Sequence, residues 1–114
     1  MAYIPDITAG IDYGKLRNLF QAGTPTIYNV MLTNANTEYS QALPAGTKKF
    51  TVKERNGNTF RLAFETGRVA APTEPYLTVL SNQVYWEDHV YLTGVTLYLA
   101  APVGGRVIEI VAWT

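Results

Sequence analysis

The sequence predicts an all-β protein: an antiparallel β-sandwich of seven or eight strands, jelly-roll or immunoglobulin-like, with an extended N-terminal arm. Three observations predict it. Two polar–apolar alternating runs flank the Leu43-Pro44-Ala45-Gly46 break, which is the pattern of two strands joined by a turn. Asn56-Gly57 is a tight-hairpin dipeptide, since both residues tolerate the positive φ such a turn needs. Short alternating runs then recur at intervals of about 8–12 residues, with turn clusters between them. A strand with one apolar face cannot bury it alone, so these runs must build two facing layers.

The elements follow in order. Residues 1–26 form an arm and residues 27–114 the sandwich domain. The arm carries Ile4, Ile7, Ile11, Leu16, Leu19 and Phe20, but Pro5, Gly10, Gly14, Gly23 and Pro25 interrupt every run. Only Lys15 to Gln21 supports a turn or two of helix. A segment this apolar needs a surface to cover, on its own domain or on a neighbour. Ile27 to Thr33 then points Tyr28, Val30 and Leu32 one way, and Asn34-Ala35-Asn36 is a turn. Glu38 to Leu43 turns Tyr39 and Leu43 inward. Lys48 to Glu54 sets Phe50 and Val52 against Lys49, Thr51 and Lys53, the alternation of a sheet with one wet face.

After the Asn56-Gly57 hairpin, Thr59 to Glu65 points Phe60, Leu62 and Phe64 inward and Arg61, Ala63 and Glu65 outward. Residues 67–75, GRVAAPTEP, are a loop by composition. Tyr76 to Leu80 and Val84 to Trp86 are short strands. Glu87-Asp88-His89 breaks the pattern, and Val90 to Thr93 reads as a connecting edge. Val95 to Leu99 buries Val95, Leu97 and Leu99 while Tyr98 faces out. Pro102 to Gly105 reads as another hairpin turn, and Arg106 to Trp113 closes the domain with Ile108, Ile110 and Ala112 inward.

Composition bounds the chemistry. A chain of 114 residues suits one domain with one core. Nine basic residues balance nine acidic ones, which gives no electrostatic reason to expect nucleic acid or an acidic membrane as partner. There are no cysteines, so disulfides and thiolate metal sites are ruled out. No window reaches the roughly 18–20 apolar residues of a membrane helix. The start, MAYIPDITAGIDYG, lacks the basic and apolar blocks of a secretory signal.

His89 stands beside Glu87 and Asp88, but adjacent strand residues point to alternate faces, so a solvated polar turn is expected rather than a metal site. A Ser-His-acid mechanism would have to use His89, the one histidine, and neither Ser40 nor Ser81 sits in a nucleophile elbow. Gly104-Gly105 joins two strands and is no phosphate loop. No catalytic, cofactor-binding or metal residue is assigned, and no cofactor is expected. Lys48, Lys49, Lys53, Arg55 and Arg61 lie on neighbouring strands as a solvated basic strip. Tyr85, Trp86, Tyr91 and Tyr98 are candidates for a glycan platform or a protein interface, where large rigid rings are favoured.

The segments TEYSQALPAGTKKFTVKER, FRLAFETG, YLTV, TLYLA and GRVIEIVAW resemble the small virion-associated proteins encoded beside the capsid genes of tailed bacteriophages. The resemblance covers Asn34 to Trp113 and leaves out the first 26 residues. It implies a non-enzymatic structural protein of the virion, assembled in the host cytoplasm: a capsid decoration or cement protein, or an accessory head–tail or fibre component. The implied partners are the major capsid protein or other virion proteins, with self-association, as a trimer, implied as well. On this reading the arm would bind neighbouring subunits through Ile4, Ile7, Ile11, Leu16, Leu19 and Phe20. The alternative is a carbohydrate-binding adhesion module that uses Tyr85, Trp86, Tyr91 or Tyr98.

Overall fold

The computed structural model describes residues 23–114. The arm residues Ile4, Ile7, Ile11, Leu16, Leu19 and Phe20, and the helical turn expected at Lys15 to Gln21, lie outside the described residues. Eight strands follow: β1 (Pro25–Leu32), β2 (Tyr39–Ala42), β3 (Thr47–Glu54), β4 (Phe60–Ala63), β5 (Leu77–Val79), β6 (Tyr85–Leu92), β7 (Thr96–Ala100) and β8 (Arg106–Trp113). All pair antiparallel. The first sheet runs β1-β8-β3-β6 and the second β2-β7-β4-β5.

That order decides between the two sandwich types. The pairs β1–β8, β2–β7, β3–β6 and β4–β5 nest one inside the next and fall alternately in the first and second sheets. The chain is therefore one long antiparallel ribbon, folded at its β4–β5 tip and wound through two sheets, which is the jelly-roll. An immunoglobulin-like sandwich keeps runs of consecutive strands within a sheet and does not nest them in this way.

Period-two alternation fills the space between the sheets. Phe50 and Val52 of β3 meet Phe60 and Leu62 of β4, Leu97 and Leu99 of β7, and Ile108, Ile110 and Ala112 of β8 in one buried cluster. Tyr28, Val30 and Tyr39 pack on its margin, and Leu32 closes the end of β1. These are the inward sets that alternation predicted.

Strand β4 departs from its expected pattern, because the loop after it returns across the outer face of the second sheet. Val69 of that loop is fully buried against Ala63 and Ala100, with Tyr76 and Tyr98 beside it. Ala63 points outward as expected, yet it is covered, and Tyr98 is half-buried rather than solvent-facing. Arg61 is not part of a solvated strip either. Its Nε donates to the Val69 carbonyl at 2.7 Å, and its Nη2 donates to Asn36 Oδ1 at 2.8 Å. Glu38 holds the same loop from the β1–β2 turn, accepting from the Thr66 hydroxyl and the Gly67 N–H. Phe64, expected in the core, lies past the end of β4 and is 48% exposed.

The 87–89 break is also corrected. Strand β6 continues through it, with Lys49 opposite Asp88 and Thr47 opposite Leu92, so a single residue of β3 faces three of β6. His89 absorbs this bulge at φ 56°. The bulge restores the inward parity of Val90 and Leu92, which is why the alternation looks broken in the sequence.

Neither Asn56-Gly57 nor Pro102 to Gly105 closes a hairpin: β3 and β4, like β7 and β8, lie in different sheets, so both turns are corners that carry the chain across the sandwich. The β3–β4 corner is fastened by a buried carboxylate. Glu54 Oε1 accepts from the backbone N–H of Asn56 (2.9 Å) and Asn58 (2.8 Å) and from Asn58 Nδ2 (2.9 Å), while Oε2 faces the Val107 N–H. Burial alone would raise its pKa. These donors outweigh burial and hold the carboxyl below its ordinary value. Within the same turn Gly57 has φ +79°, and a Cβ there would run into the Asn82 side chain. Gly104 is needed for a different reason: a Cβ would stand 2.6 Å from the Thr33 carbonyl oxygen.

Two outcomes follow. Because Glu54's folded pKa is depressed, its contribution is present above its unfolded value of 4.5 and is lost as pH falls through the lower folded value. Glu54→Gln should cost about 1–3 kcal/mol at pH 7 and flatten that acid limb, as read by urea titrations at a series of pH values. Gly104→Ala should lower stability by about 1–3 kcal/mol, because backbone must move to admit the methyl. Thermal unfolding followed by circular dichroism measures the loss.

Candidate functional site

The nested ribbon leaves the sandwich open along the side where β5 and β6 are the sheet edges. A groove of about 390 Å³ lies there, lined by Phe50, Phe64, Tyr85, Val90, Leu92 and Val95, with Glu87 at its rim. A second groove of about 300 Å³ lies on the far side of Phe64, against Leu62, Tyr76 and Leu77. Phe64 is thus an exposed ring standing between two apolar hollows.

Tyr85 forms the floor of the larger groove. Its ring packs at 5.9 Å from Phe50 and 6.2 Å from Phe64, both tilted, within the range for favourable aromatic pairs. Its hydroxyl donates to Glu87 Oε2 at 2.6 Å. Burial, and then the Glu87 carboxylate as acceptor and negative neighbour, push the Tyr85 pKa up to about 12. The phenol therefore stays neutral, and the groove presents apolar walls with one committed polar pair. Such a surface can seat an apolar side chain or ring.

The four aromatics singled out in the sequence do not share a platform. Tyr85 is in the groove, and Tyr98 packs beneath the 64–76 loop on the second sheet. Trp86 points the opposite way from Tyr85 on β6 and is 59% exposed. Tyr91 is also exposed, within the bulged stretch. Glu87, Asp88 and His89 do not converge: Glu87 turns to Tyr85, and Asp88 Oδ1 accepts from the His89 N–H. Among the described residues no group of three or more metal-ligating side chains is placed to hold an ion.

The outer face of the first sheet holds what the sequence did not reveal. Odd-numbered residues of β1, of β8 and of β3 from Lys49 onward point there, opposite the inward even-numbered set, while Thr47 at the start of β3 is itself buried. Register brings Ile27, Val111, Thr51 and Trp86 into one row across all four strands. Pro25, Trp113, Lys49 and Asp88 form the next row. Asn29, Glu109 and Lys53 form a third, in which Glu109 pairs with Lys53 at 3.6 Å and with Arg55 at 2.9 Å. The basic residues of β3 are thereby partly neutralised by β8. Each strand alone reads as ordinary alternation, and only the pairing assembles the apolar row.

Raising the Tyr85 pKa makes its contribution to stability fully present below pH 10, and the contribution is lost as pH rises toward 12. Ultraviolet titration should show one tyrosine ionising near 12, absent in Tyr85→Phe. The variant should also lose stability less steeply than the wild type across that interval.

No family model matches the chain, and no curated protein matches it. Among solved structures the chain is similar to a de novo designed double-stranded β-helix determined by solution NMR, at 11% identity and a TM-score of 0.48, over 81% of this chain and 100% of that one.

Proposed function

We propose that this chain is a non-enzymatic structural protein of a tailed-bacteriophage virion, a capsid decoration or accessory head protein that bridges neighbouring subunits. The observation that carries this reading is the broad, partly apolar outer face of the first sheet, set on a rigid jelly-roll body. Solvent-exposed Ile27, Met31 and Trp86 on one sheet face are typical of surfaces made to be covered by protein. The apolar leader supports the same reading. It joins the body where Gly23 and Thr24 donate to the Thr114 carbonyl, at the corner of that face beside Pro25 and Trp113. A protein that touches two neighbours at once gains avidity without a single strong contact.

An adhesion module that binds glycans is a second reading, favoured by the exposure of Trp86 and Tyr91. It predicts a saturable tryptophan-fluorescence change with one member of a glycan panel, abolished by Trp86→Ala.

The structural reading is tested by removing residues 1–22, a cut that spares the Gly23 and Thr24 hydrogen bonds to Thr114. The truncated chain should unfold cooperatively, while its co-sedimentation with heads of the encoding phage falls at least about tenfold. Undiminished binding would remove the leader from the mechanism, and no binding by the full chain would defeat the reading.

A further inference from the structure

The two outer faces of the sandwich are treated differently by the chain. The 64–76 loop covers that of the second sheet with Val69 and Tyr76. On the first sheet Ile27 is 66% exposed and Trp86 59%, at opposite ends of one row. We propose that this open face is the contact between two copies of the chain, stacked face to face about a two-fold axis that runs between β8 and β3.

The rows are self-complementary about that line. Such an axis lays β8 of one copy over β3 of the other, and β1 over β6. Ile27 then meets the second copy's Trp86, and Val111 meets its Thr51. Because Lys53 and Glu109 are cross-strand partners, the same operation sets each Glu109 over the other copy's Lys53. Lys49 and Trp113 are likewise register partners, so each ammonium lies over the other copy's indole, a cation–π arrangement. No row sets like charge against like. The intrachain Glu109 contacts with Lys53 and Arg55 also keep the centre of the face near neutral, which lowers the electrostatic cost of stacking.

Size bounds the contact. Four strands at about 4.8 Å spacing and eight residues at about 3.3 Å give a face of about 500 Å² in plan. Corrugated side chains raise the accessible area toward, but not past, the roughly 800 Å² per partner of a standard interface. The pairing is therefore concentration-dependent rather than obligate. It is a two-fold dimer, not the trimer that the family resemblance implies, and it rests on the structural reading only for its biological use.

The test is light scattering and sedimentation equilibrium on the purified full-length chain. The mass should climb from 12.6 kDa toward twice that value between about 1 and 100 μM. Ile27→Lys and Trp86→Lys alter exposed side chains at the two ends of the row. Each should raise the dimer dissociation constant at least about tenfold while circular dichroism and melting temperature hold. Lys53→Glu should weaken the dimer, and adding Glu109→Lys should restore it. Three results would overturn the proposal: a monomer throughout the range, a dimer indifferent to all these changes, or a monomer whose tryptophans are shielded from iodide, which would mean residues 1–22 occupy the face. The measurement needs no phage particle, so its failure leaves the head-binding experiment standing, and the reverse holds too.

Discussion

Strand β8 is the constraint on which the molecule depends. It is hydrogen-bonded on both sides, to β1 from the far end of the sequence and to β3 from the middle. Without it those strands would have no sheet in common. Its inward Ile108, Ile110 and Ala112 reach the cluster that also holds Phe50, Val52, Leu97 and Leu99. Ladder and core are thus closed by the same eight residues. Because β8 belongs to the outermost pair of the wound ribbon, its partners are distant in sequence, and such contacts are slow to form.

From this closure follows the asymmetry between the faces. A jelly-roll has two outer surfaces and two open sides, and loop length decides which are covered. The β4–β5 connection is long enough to fold back over the second sheet, where Arg61 and Glu38 fasten it. The short β3–β4 and β7–β8 connections spend their residues on the Glu54 anchor and on Gly104, with nothing left to cross the first sheet. Its outer rows stay uncovered by the described residues as a result.

Much of the fold could be read in the sequence, for a reason that particular residues make plain. Where a strand is buried on one side only, period two shows its orientation without knowledge of its partner. Arg106 to Trp113 and the inward set Phe50, Val52, Leu97, Leu99, Ile108, Ile110 and Ala112 were legible for that reason. Val69 was not, since its burial depends on a loop returning to a surface that local sequence does not describe. His89 hid a continuous strand, because a bulge resets parity and mimics a break. The site was less legible still. Aromatic residues close in sequence, such as Tyr85 and Trp86, separate onto opposite faces. Residues far apart, such as Ile27 and Trp86, meet in one row only through two intervening strands.

The clasp between Gly23, Thr24 and Thr114 has a mechanical meaning. It places the start of β1 directly against the end of β8, so force arriving through the leader and resisted at the C-terminus acts across the ladder rather than along it. Bonds loaded that way break singly, rung after rung, beginning at Pro25 and Trp113, instead of sharing the load. Tugged from those two ends the body is a zip fastener, whereas squeezed between its broad faces it is a brick.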